Sequence, residues 1–304
     1  MGCAWMSEPP TQITPDPAET TSLFGEPLRP ALISPEARDT LEARLARART
    51  NHERDPSNPD ALIWLGRRTA YLGRYRAAIA IFSEGIASHP HDARLYRHRG
   101  HRYITLRLFD AAIRDLEQAT LLIAGKPDSL EPDGIPNARN TPTSTSHSNI
   151  WYHLGLAYYL TGDFENARRC YQQCLRFSNN PDQLCATTYW LHLSLLRLGR
   201  ADEARAALEP IRADMDIIEN ADYHRLLLLC RGEAAADTLL RAARNSGGVS
   251  FATTGYGVAA WRLARQEKKP ALSLMREVLA AGTWAAFGYI ACEADLERMG
   301  EGPE

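Results

Sequence analysis

The sequence predicts an all-α solenoid of antiparallel helical hairpins, and three observations carry that prediction. Small residues return at a fixed step: Gly66 reappears as Gly100 and Gly155, and Ala78 as Ala112, Ala167 and Ala204. A turn residue returns with them, at Gly73, Arg107, Gly162, Gly199 and Gly232. Between these marks, large apolar residues fall at the helical spacing that places them on one face. The basic step is 34 residues, widened once by about 21 and once by three, and a period of that length marks stacked supersecondary units.

Taken in order, residues 1–33 are rich in Pro, Thr and Glu with little periodicity, which reads as an extended or disordered arm, laid along the solenoid where it is ordered. Ser34-Pro35-Glu36 is a helix start, with a hydroxyl at the N-cap and proline in the first turn. It opens a capping helix, and two hairpins at 61–90 and 94–120 complete a block over 34–124. Residues 125–148 (GKPDSLEPDGIPNARNTPTSTSHS) form an inserted loop, of a length that is functional or disordered inside a compact array. Two more hairpins fill 149–214. The remainder, 215–304, holds a degenerate fifth hairpin at 223–244 and helices over 251–266, 270–280 and 283–298, the last capping the array. Small residues belong where the two helices of a hairpin cross, and larger ones fill the groove to the next hairpin. Each hairpin buries its second face only against a neighbour, so the array is stable as a stack.

This repeat resembles the tetratricopeptide repeat, whose pattern is Trp–Leu–Gly–Tyr on the first helix and Ala–Phe–Ala–Pro on the second. The third copy matches it most fully, with Trp151, Leu154, Gly155, Tyr158, Gly162, Phe164, Ala167 and Tyr171. The first copy supplies Leu65, Gly66, Gly73, Tyr75, Ala78, Phe82 and Pro90, and the second Tyr96, Gly100, Tyr103, Phe109, Ala112 and Ala119. A fourth is looser, with Leu191, Leu195, Gly199, Ala204 and Leu208. The resemblance implies a right-handed superhelical solenoid whose first helices line a concave groove that holds a protein or peptide partner. At the inward positions the sequence places Ile63, Trp64, Arg67 and Tyr71, then Arg94, Arg97, His98 and His101. The third copy gives Asn149, Tyr152, His153 and Tyr159, and the fourth Tyr189 and Trp190. Trp64, Tyr152, Tyr189 and Trp190 are the expected anchors, with charge from Arg67, Arg97, His98 and His101. Aromatic rings with arginine are the composition of a protein-binding hot spot. The family's known peptide clamp uses lysine and asparagine, and Ile63 with Arg67 in one pair of its places does not reproduce it. Either a partner fills this groove, or residues 1–33 or the insert do.

A formal net charge of −2 argues against a general polyanion binder. Only Lys126, Lys268 and Lys269 are lysines among 35 basic residues, a GC-rich coding bias most simply read as bacterial. No apolar stretch reaches the roughly 18 residues a membrane span needs, and no signal-peptide core is present. Six scattered cysteines without a CxxC pair read as buried, reduced thiols. Cytoplasm is the default location. The alternative is a lipid-anchored or periplasmic protein, since Met1-Gly2-Cys3 nearly matches a myristoylation start and Cys3 could be an acylated cysteine.

The chemistry-bearing residues give no catalytic set, no cofactor signature and no metal site. His192 and His224 fall on packing positions, and no acidic residue accompanies His98, His101 or His153 at ligating spacing. Cys170 and Cys174 share one helix face as small hydrophobes. Gly248-Val249-Ser250-Phe251-Ala252 lacks the preceding strand of a nucleophile elbow, and Ser250 reads as an N-cap. Glu131 and Asp133 read as solvated loop charges. Two alternatives to partner binding stand beside it. One is RNA or another polyanion on the arginine-rich run 94–107, which net acidity disfavours. The other is a small-ligand or enzymatic helical protein with the 125–148 insert as lid.

Overall fold

The hairpins begin where short polar side chains can cap a helix. The computed structural model describes residues 17–304, so Cys3 and the alternative of its lipidation lie outside the described residues. Ser34 accepts from the Ala37 amide ahead of α1 (Pro35–Arg54), and Asn58 caps α2 (Pro59–Tyr71). Helix α3 (Tyr75–Ser88) completes the first hairpin, and Asp92 caps α4 (Ala93–Thr105), which pairs with α5 (Phe109–Ile123). Thr145 and Ser148 form a reciprocal capping box at the start of α6 (Ser146–Thr161), so the last residues of the insert are already helical. Then come α7 (Phe164–Leu175), α8 (Pro181–Arg197) and a short α9 (Ala201–Ala206). The degenerate hairpin is α10 (Ala221–Cys230) with α11 (Ala236–Ser246), and the chain ends in α12 (Gly248–Ala264), α13 (Lys268–Ala280) and α14 (Phe287–Arg298). Ser250 is not a cap: Gly247 holds that position, and Ser250 lies in the first turn of α12.

Within each hairpin the repeated glycine lets two helices approach. A methyl group at Gly100 would stand 2.8 Å from Leu116, and one at Gly155 would stand 2.9 Å from the Tyr171 ring. Neighbouring hairpins then stack, α3 on α4, α5 on α6 and α7 on α8, over one large core cluster and two smaller ones, the latter around Phe82 and Leu95 and around Ala119 and Ile150. The result is an all-α solenoid of the predicted kind. Four of the five turn positions are glycines with φ between 71° and 84°, and the fifth, Arg107, adopts the same left-handed conformation at 63°. A side chain with Cβ costs about 1–2 kcal/mol in that region, so something must hold Arg107 there.

That something is the far end of the chain. Helix α14 packs on α12 and α13 and then returns to touch α6, and Arg107 Nε donates to its Glu293 at 2.8 Å. The last helix therefore closes the inner layer of helices on itself as well as capping the array. The described part of the N-terminal arm forms a two-strand turn, β1 (Thr20–Thr21) with β2 (Pro27–Leu28). It is fastened to the hairpin turns: Thr20 Oγ1 donates to the Leu106 carbonyl and Trp284 Nε1 to that of Arg29.

Candidate partner-binding groove

The inner face divides into two parts. In the first, α2 and α4 present Trp64, Arg67, Tyr71, Arg97, His98 and His101. The Arg67 guanidinium lies 4.5 Å above the Trp64 ring, with Arg68 at 4.7 Å. Residues 130–134 of the insert cross this surface as a strap. Glu131 pairs with Arg97 at 3.0 Å, Arg68 donates to the Gly134 carbonyl at 2.6 Å, and a methyl at Gly134 would overlap the Tyr71 hydroxyl. The strap is fixed at its base beside α6, where Glu131 N donates to Ser144 O and Ser146 N to Ser129 O. Two cavities flank it, of about 120 and 200 Å³, and both are lined by Arg67, His98 and Glu131.

Burial sets the electrostatics here. Arg97 is 8% exposed, and its Nη1 donates to His98 Nδ1 at 2.8 Å, which leaves the imidazole proton on Nε2. Burial pushes the His98, His101 and His153 pKa values well below the usual imidazole range, and the nearby Arg97 and Arg102 push the same way. These rings are therefore neutral near pH 7, and His101 packs against His153 at 4.4 Å between centroids.

In the second part the same repeat positions are packed away. Phe287, at the start of α14, lies 5.3 Å from the His101 ring and 5.7 Å from His153. Trp190 Nε1 donates to the Tyr152 hydroxyl at 2.8 Å, and Tyr152 donates on to Tyr223. Tyr189 and Trp190 are each 1% exposed. The Tyr159 and Tyr256 hydroxyls meet at 2.6 Å, and Tyr256 donates to Asp295 of α14, which also pairs with Arg197 and Arg298. A polar cavity of about 270 Å³ remains at the edge, between Tyr152, Tyr223, Gln183, Glu219 and Phe287.

The structure thus brings Trp64, Arg67, Tyr71, Arg97, His98 and His101 together on α2 and α4, with Trp64, Arg67, Tyr71 and His101 partly exposed and Arg97 and His98 buried. Tyr152 and His153 stand at the boundary, and Tyr189 and Trp190 lie in the core. Glu131 is not a solvated loop charge: its side chain is 12% exposed and ion-paired to α4. That pairing had a signal, an acidic insert facing a groove whose charges are all arginine. Arg107 had one too, as the sole departure from glycine at its turn position. Of the five arginines in 94–107, Arg94 pairs with Asp60 and Asp92, Arg97 with Glu131, Arg99 with Asp115 and Arg107 with Glu293. The described cysteines are free; Cys170, Cys174, Cys185 and Cys292 are buried, and burial pushes the thiols of the first three up to about 12.

Residues 65–129 and 148–181 match two family models, each described as Tetratricopeptide repeat. No curated protein matches the chain by sequence. Among solved structures, the thermophilic TPR protein TTC0263 of Thermus thermophilus is 22% identical, covering 64% of this chain and 93% of its own with a TM-score of 0.44. Pseudomonas aeruginosa pilF is 16% identical over 80% of this chain and 86% of its own, at 0.46. YrrB, described as a TPR protein with an unusual peptide-binding site, is 13% identical over 77% of this chain and 91% of its own, at 0.43. The two family models match 65 and 34 residues, together 99 of the 304.

Proposed function

We propose that this chain, matched in two stretches by tetratricopeptide-repeat models, is a protein-interaction scaffold which takes an extended partner segment across the α2–α4 half of its groove. The observation that supports this reading is the strap. Residues 130–134 lie across α2 and α4 as a partner peptide would, with a carboxylate on Arg97 and a backbone carbonyl on Arg68. An arginine fork on a carboxylate is a charge-assisted contact of the stronger kind. Trp64 supplies a half-exposed aromatic anchor beside it. The polyanion alternative loses support from the arginine run, four of whose five members are engaged within the chain.

The test is partner capture by crosslinking in the native host, comparing wild type with Trp64→Ala/Arg67→Ala. Arg97 is left intact because removing it would strand Glu131. A partner lost in the variant, with unchanged thermal stability, is the expected result. Equal capture by both proteins would sink the groove reading.

A further inference from the structure

We infer that the cavity between α2, α4 and the strap is a binding site for one small oxyanion of the phosphate class, held by Arg67, Arg97 and Arg102. The site lies behind the strap and goes beyond the partner reading, because a free ion reaches it without displacing Glu131. Its volume is about 120 Å³, well above the roughly 10–15 Å³ that one water needs.

The charges around it do not balance. Glu131 takes Nη2 of Arg97, and His98 takes Nη1. The Arg97 Nε is buried without a partner. Arg67 has the Trp64 ring and a long contact to the Tyr71 hydroxyl at 3.4 Å. Among the described residues, the Arg102 guanidinium has the Tyr75 ring, 5.4 Å away, as its one contact. Among the described residues no carboxylate stands within ion-pair distance of Arg67 or Arg102, although the charge of Asp133 is felt at Arg67. His98 and His101 complete the wall as neutral rings. Three guanidiniums therefore face one paired carboxylate, Glu131, and a second, Asp133, that pairs with none of them. Crowding and burial pull Arg102 down to about 10, still charged near neutrality.

Partly desolvated cations at this density are costly unless an anion joins them. Guanidinium forks match the oxygens of phosphate or carboxylate, not a spherical halide. The other arginines of the same run make the contrast: Arg99 holds Asp115 through Nε and Nη2 at 2.7 and 2.8 Å, and Arg107 holds Glu293. Arg102 is the member whose oxygen partner is not supplied by the described chain.

Calorimetric titration of the full chain with inorganic phosphate near neutral pH, against chloride at matched ionic strength, tests this. Wild type is expected to show saturable one-to-one binding, weakened about tenfold or more in Arg102→Gln, since a charge-assisted contact is lost. Arg67→Gln gives a second reading should Arg102→Gln fold poorly, and Arg205→Gln on the exposed side of α9 should bind as wild type does. A parallel acetate titration separates sources: saturation by acetate alone assigns the oxyanion as a carboxylate borne on another molecule. Absence of saturable binding by either anion, or full affinity in both Arg102→Gln and Arg67→Gln, overturns the inference.

Discussion

On α2, the inward positions Trp64, Arg67 and Tyr71 stay partly exposed beside cavities and a strap of five residues. On α6 the matching positions hold His153, Leu156 and Leu160, and on α8 Trp190 and Leu193, all of them buried beneath α12 and α14. The repeats that build the two halves are alike, so the repeat did not decide this. What stands opposite did: α14 returns across the second half, whereas residues 130–134 cross the first. A repeat position marks a side chain as facing inward. Whether inward means groove or core depends on contacts made far along the chain.

The largest expected effect separates the two tryptophans. Trp190 is fully buried, stacked on Tyr256 at 5.9 Å and edge-on to Tyr159. Trp190→Ala should cost about 3–5 kcal/mol, the usual range for deleting a large buried ring. Trp64→Ala removes two exposed cation–π contacts of about 0.5–1 kcal/mol each and little packing. Urea unfolding of both variants checks the difference. Equal losses would erase the distinction between groove and core.

Next in size is the closure itself. Glu293 is 0% exposed, and burial raises its pKa although Arg107 pulls the other way. Glu293→Ala strands a buried guanidinium and should cost about 3 kcal/mol, the low end for breaking such a pair, because Arg107 still donates to the Thr105 and Trp284 carbonyls. Arg107→Gly added to that variant removes the stranded charge and relaxes a backbone at φ 63°. The double variant should then be more stable than Glu293→Ala alone in the same unfolding assay. A double variant that is less stable would mean that the Arg107 contacts to the Thr105 and Trp284 carbonyls outweigh both the stranded charge and the turn strain.

Much of this fold was legible because its causes are local. Caps at Ser34, Asn58 and Thr145 act within three residues of where they are written, and the crossing glycines act within their own hairpin. The inward positions were legible too, for the same reason. Closure was not: Arg107 and Glu293 are 186 residues apart, and no periodicity reports a contact at that range. The Glu131–Arg97 pair was hidden differently, since a carboxylate in a long insert looks solvated until the path of the insert is known. Charge complementarity was the available hint, and Arg107 at a glycine place was the other.

The smallest expected effect concerns pH and sets the halves apart once more. His98, His101 and His153 are held neutral by burial, with Arg97 and Arg102 adding to the same push. Their folded pKa values therefore lie below the ordinary value of about 6.5. As pH falls through about 6.5, the unfolded chain binds protons that the folded chain refuses, so the unfolded state gains. The stability these rings contribute is full above that pH and is lost as pH falls toward their folded pKa values. The loss per ring is about 1.4 kcal/mol for every pH unit between its unfolded and folded values. In the closed half Glu293 runs in the opposite sense: its raised pKa means the folded state takes a proton first, so mild acid opposes the histidine loss there. Of the other rings, His192 is shifted in the same direction as the groove histidines by burial, and its contact with the Ala204 carbonyl pulls back. Urea midpoints measured from neutral to mildly acidic pH should fall in wild type and fall less in His98→Gln and His101→Gln. A slope untouched by either substitution would move the acid sensitivity out of the α2–α4 half and into the closed one.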